Sequence, residues 1–192
     1  MRKEDSAHQL ITIIERSEFL RDVFNRAKTL ELESYFVGAG CITQTVWNHL
    51  TGRPLTYGIS DIDIVYFDDA NLSFEEEDII LKRATLCFKD IPIPVDVKNQ
   101  ARVHLWYELK FGIRLNPYGS VEEAITTWPT TATSLGVRVE QQGNWHVYAP
   151  FGLEDLFNLT LRPNKTLITE GIYQQKVAKW KSKWPELNVK AW

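Results

Sequence analysis

Ser60-Asp61-Ile62-Asp63-Ile64-Val65-Tyr66-Phe67-Asp68 alternates acidic and apolar residues before closing on an apolar run, and the rest of the chain is best read outward from it. Alternation with a period of two marks a strand, because residues two apart in a strand share a face. Asp61 and Asp63 therefore point one way, and Ile62 and Ile64 point the other. Two carboxylates side by side repel each other, and a hard divalent cation with oxygen ligands compensates them well. Magnesium keeps several waters and completes its shell with substrate phosphates, so such a pair suits phosphate chemistry. Taken alone, the pair fits a solvated strand face or a loop cap equally well.

The flanking segments change that balance. Upstream, Tyr35-Phe36-Val37 runs into the small residues Gly38-Ala39-Gly40, and Ile42 to Leu50 follows with helical spacing. Strand, small-residue turn and helix in that order let backbone N–H groups approach a phosphate at the helix N-terminus. Downstream, Val95-Asp96-Val97 predicts a second strand that carries one acid on the face away from its valines. If that strand neighbours the first, Asp96 joins Asp61 and Asp63, a set able to hold two cations about 3.5–4 Å apart for an in-line displacement.

Around this centre the pattern predicts helices. Leu10, Ile13, Ile14, Leu20, Val23 and Phe24 recur at three- and four-residue intervals, as in one or two amphipathic helices. Ser73 with Glu76 forms a capping box that starts a helix running to about Phe88, and Ser120 with Glu123 opens another running to Trp128. Gln100 to Phe111, Gly152 to Leu161 and Thr169 to Trp184 also read as helical, while Val137–Glu140 and Trp145–Ala149 read as a hairpin. The expectation is an α/β (α+β) fold: one domain over residues 1–192, a mixed sheet in a core of about 35–163, and helical flanks.

With 44% hydrophobic and 24% charged residues the chain can bury a full core without disulfides. A net charge of -3 excludes the strong basic excess of a general nucleic-acid binder. Cys41 and Cys87 lack zinc-site spacing and are expected to be reduced thiols. Charges interrupt the apolar run of the N-terminus, so no signal peptide or membrane span is expected and the location is read as cytoplasmic.

Val37-Gly38-Ala39-Gly40, Asp61-Ile62-Asp63-Ile64 and Val95-Asp96-Val97 together resemble the nucleotidyltransferase superfamily, the polymerase-beta-like group that includes tRNA and aminoglycoside nucleotidyltransferases. Thr45-Val46-Trp47-Asn48, Asn99-Gln100-Ala101-Arg102-Val103-His104-Leu105-Trp106-Tyr107 and Ala149-Pro150-Phe151-Gly152-Leu153 extend the resemblance toward a bacterial family of nucleotidyltransferase-like proteins, over about Tyr35 to Pro163. It implies an enzyme that moves a nucleoside monophosphate from a nucleoside triphosphate to a hydroxyl acceptor with Mg2+ or Mn2+. By the same resemblance, Asp61, Asp63 and Asp96 are the metal-binding and catalytic acids, and Gly38, Ala39 and Gly40 meet the triphosphate. The usual turn of the superfamily is Gly-Gly or Gly-Ser, and Ala39 departs from it.

Among the cations after Asp96, Arg102 is the preferred phosphate contact, beside Lys98 and His104; a surface arginine is the plainer account of Arg102. Trp106, Tyr107, Trp128 and Trp145 can stack a base or simply fill a core. Lys176, Lys179, Lys181 and Lys183 interleave with Trp180 and Trp184 and read as the solvated face of an amphipathic helix. The acidic balance favours a small-molecule or protein acceptor over long nucleic acid. The rival reading is a catalytically silent nucleotide-binding or regulatory module on the same fold.

Overall fold

The computed structural model describes residues 3–192; Met1, Arg2 and the side chain of Lys3 lie outside the described residues. Helices α1 (Lys3–Arg16) and α2 (Glu18–Thr29) meet at Ser17, whose hydroxyl accepts the Leu20 N–H and so caps α2. Their apolar stripe, from Leu10 and Ile14 through Leu20, Val23 and Phe24, is buried in the main core.

The sheet runs in the order β3-β2-β1-β4-β5. It comprises β1 (Tyr35–Gly38), β2 (Ile62–Tyr66), β3 (Val95–Asn99), β4 (Gly136–Val139) and β5 (Trp145–Tyr148), with β2 and β3 parallel and the other neighbours antiparallel. A mixed sheet flanked by helices is the architecture expected. Helices α3 (Gly40–Leu50), α4 (Phe74–Cys87) and α6 (Val121–Thr126) also stand where the spacing predicts them, the last two under serine caps.

Two predicted helices are shorter than expected. The segment from Gln100 opens as a 3-10 turn because the Asn99 side chain accepts the Ala101 N–H, and α5 (His104–Phe111) starts only afterwards. Gly152 to Leu161 divides into α7 (Glu154–Phe157) and a short strand, β6 (Thr160–Leu161), with Leu159 at φ 51° breaking the helix between them. The partner of β6 is β7 (Asn188–Val189), which lies beyond α8 (Glu170–Lys181) in the chain.

An aromatic cluster fastens this C-terminal segment to the sheet. The fully buried Trp47 of α3 meets the rings of Trp180 and Trp184 edge-on, at 5.9 and 5.5 Å between centroids. Trp184 Nε1–H donates to Asn48 Oδ1 at 2.8 Å, while the Asn48 amide donates to the Leu55 and Tyr57 carbonyls. Gly58, at φ +71°, lies so close to Trp184 that a Cβ there would come within 2.8 Å of its ring. One buried asparagine and one tryptophan thus fix α3, the 51–60 loop and the chain end together, just before Ser60 and Asp61. Trp184→Ala should lower stability by roughly 3–5 kcal/mol, measured by urea unfolding.

Candidate active site

Strand register brings the motifs together. Gly38 of β1 stands opposite Asp63 of β2, and Asp63 stands opposite Asp96 of β3. On the other side of Gly38 lies Gly136 of β4, so the row across the sheet reads Asp96, Asp63, Gly38, Gly136. Asp61 sits just before β2, where its carboxylate accepts the Ser60 hydroxyl at 2.9 Å.

Gly38 is required by packing. A Cβ there would lie 2.5 Å from the Trp128 ring, which covers the end of β1. Ala39 holds φ 50° and ψ -123°, a conformation that favours glycine and costs other residues on the order of 1–3 kcal/mol. No side chain caps α3, whose first turn therefore offers its backbone donors to the cleft beside Asp61 and Asp63. Gln44, one turn along, is buried with its Oε1 lacking a hydrogen-bond partner among the described residues.

Burial pushes the Asp63 carboxyl up to about 6, helped by repulsion from Asp61 and Asp96 and opposed by Lys98 and Lys176. Asp96 is ion-paired to Lys98, two residues along the same strand face. Lys176 and Lys179 of α8, expected on a solvated face, both line the smaller lobe beside the acids; Lys179 remains exposed, while Lys176 is partly buried. Burial and the neighbouring Lys179 pull the Lys176 ammonium below its ordinary value, while Asp63 and Asp61 oppose the shift. The Lys179 ammonium reaches the Ser60 hydroxyl at 3.5 Å. Their orientation follows from the Trp47–Trp180–Trp184 cluster, a tertiary contact that spacing along the chain does not reveal.

The cleft has two lobes that share Ala39, Asp63, Trp128, Pro129 and Lys176. The smaller, about 110 Å³, adds Gly40, Gln44, Ser60, Asp61 and Lys179. The larger, about 370 Å³, is walled by Lys98, Trp106, Tyr107, Phe111 and Tyr118 among others. Acids and cations gather at the smaller lobe, and aromatic faces at the larger. Cys41, beneath the turn, is a fully buried free thiol whose ionisation burial opposes.

Arg102 is not brought to this cleft. Its guanidinium pairs with Glu77, donates to the Leu72 carbonyl at 3.0 Å and lies over the Phe74 ring, so α4 and the segment before it hold it. His104 is likewise absent from the lining of both lobes, and its buried Nδ1 has no hydrogen-bond partner among the described residues. Among the described residues, the cations that line the cleft beside the acids are Lys98, Lys176 and Lys179.

Among the described residues no three His, Cys, Asp or Glu side chains form a ready-made metal cluster. The donor set at Asp61 and Asp63 nevertheless fits a hard divalent cation: two hard oxygen donors, mutually repelling, beside a lobe open to substrate phosphates.

A family model described as nucleotidyltransferase matches residues 25–189. The chain belongs to this nucleotidyltransferase family. An NMR structure described as revealing a CCA-adding enzyme head domain is similar to this chain at 25% identity and a TM-score of 0.78, over 96% of each chain. No curated protein matches the chain in sequence. None of the described helices is long and apolar enough to cross a membrane.

The raised Asp63 carboxyl has a consequence for stability. Its ordinary value is 3.8, so the folded state holds the proton more tightly than the unfolded chain does. Ionising Asp63 therefore costs stability as pH rises from about 4 to about 6, by at most roughly 3 kcal/mol. Asp63→Asn should raise the melting temperature in EDTA at pH 7.5, and the gain should shrink toward pH 4.

Proposed function

We propose that this protein transfers a nucleoside monophosphate from a nucleoside triphosphate to a hydroxyl acceptor, with Mg2+ or Mn2+ held by Asp61 and Asp63. The observation that carries the reading is the pairing of Asp63 with Gly38 on one side and Asp96 on the other, beside the uncapped start of α3. A bound cation would neutralise charge on the triphosphate and polarise the phosphorus under attack. The backbone donors of Gly40 and the first turn of α3, with Lys176 and Lys179, would take the β- and γ-phosphates in the smaller lobe. Trp106, Tyr107 and Trp128 would wall the nucleoside in the larger.

The acceptor oxygen attacks the α-phosphorus, the bond to the α–β bridging oxygen breaks, and pyrophosphate leaves. The acceptor proton passes to the Asp96 carboxylate. Positioning and charge neutralisation do most of the work. The net charge of -3 favours a small-molecule or protein acceptor. Likeness to a CCA-adding enzyme head domain makes a nucleic-acid end that accepts nucleotides the competing candidate. Two free thiols, at Cys41 and Cys87, accord with a reducing cytoplasm.

One observation favours the silent-module reading, namely that the charge of Asp96 is already met by Lys98. Calorimetry with each nucleoside triphosphate, followed by incubation of the bound one with α- and γ-labelled forms and candidate acceptors, separates the two. Transfer requires magnesium-dependent binding that Asp61→Asn with Asp63→Asn abolishes and that Lys176→Ala weakens roughly ten- to hundredfold. It further requires that the α-label, and never the γ-label, reaches the acceptor. Binding with no transfer to small-molecule, protein or RNA acceptors selects the silent module, and no binding by folded wild type rejects both.

A further inference from the structure

Lys98 sits where a second cation would be expected. Asp96 and Lys98 are two residues apart on β3 and so share its face, the face onto which Asp63 projects from β2. The Lys98 ammonium contacts Asp96 Oδ2 and at the same time lines the larger lobe of the cleft. A divalent ion bridging Asp63 and Asp96 would have to sit against this ammonium, and like charges brought into contact repel. On β2 the residue that shares the face of Asp63 is Val65, so that strand carries no such counter-charge beside Asp63.

From this we infer that Lys98 is the built-in second cation of the site, so that the protein binds one divalent ion per nucleotide, at Asp61 and Asp63, where the three acids alone would bind two. The inference rests on the nucleotidyltransferase reading and specifies its metal stoichiometry. Lys98 donates to Oδ2 of Asp96, and Oδ1 is the oxygen assigned to the acceptor hydroxyl. The lysine then stands at the position where negative charge develops on the attacking oxygen. Its side chain is 40% exposed, so the ion pair contributes little to folding and Lys98 can be replaced without removing core.

The test is electron paramagnetic resonance of Mn2+ with the α,β-methylene analogues of ATP, GTP, CTP and UTP in turn, on wild type and on Lys98→Met and Lys98→Gln, with folding checked by circular dichroism. Wild type should bind one Mn2+ per nucleotide complex with an uncoupled spectrum. Both variants should bind two, with the spin coupling of ions about 4 Å apart. Two coupled ions in wild type, or a single ion in both folded variants, would overturn the inference while leaving the nucleotidyltransferase reading intact. Absence of any Mn2+-dependent nucleotide binding by folded wild type would overturn that reading and the role of Lys98 with it.

Discussion

Repulsion between Asp61, Asp63 and Asp96 is the constraint around which the surrounding structure is organised. The hydrogen-bond register of β1, β2 and β3 forces Asp63 into a half-buried position between a glycine and a second acid, and the price appears as a carboxyl that resists ionisation. Part of that repulsion is relieved by Lys98, on the same strand as Asp96, and by Lys176 of α8. A polyanion and a divalent cation arriving together complete the charge balance that the protein leaves open. Such differential stabilisation by substrate is what a phosphate-transfer site requires.

Delivery of cations to the acids depends on packing far from them. Trp47, Trp180 and Trp184 lock α8 against α3, and Asn48 ties the same cluster to the loop that ends at Ser60. The pairing of β6 with β7 and the bond from the Tyr173 hydroxyl to the Leu161 carbonyl hold the ends of α8. The core on one side of the site and the charge pattern on the other are therefore mechanically coupled through a single helix.

Much of this was legible from residue order alone. The strand carrying Asp61 and Asp63, the small-residue turn, the serine-capped helices and the hairpin follow from local periodicity and capping, which act over a few residues. That Asp63 and Asp96 would be neighbours followed only if their strands were adjacent, a condition local pattern cannot set. Arg102 and Lys176 exchanged their expected environments for the same reason. Glu77 and Phe74 hold Arg102 on α4, and tryptophan packing turns Lys176 inward. The break at Leu159 depends on a strand partner almost thirty residues downstream, beyond the reach of helical periodicity. Lys98 was visible as a cation after Asp96, but its pairing with that acid emerged only with the side chains.

Anomalous diffraction from crystals soaked with Mn2+ and a non-hydrolysable nucleoside triphosphate addresses the central claim most directly, because it locates the cation relative to the carboxylate row. A manganese peak bonded to oxygens of Asp61 and Asp63 at about 2.1 Å, the length of a magnesium–oxygen bond, is expected, with the triphosphate running toward Gly40 and Lys176. Nucleotide bound with manganese elsewhere, for example in the acidic hollow lined by Glu31, Asp68 and Glu76, would contradict it.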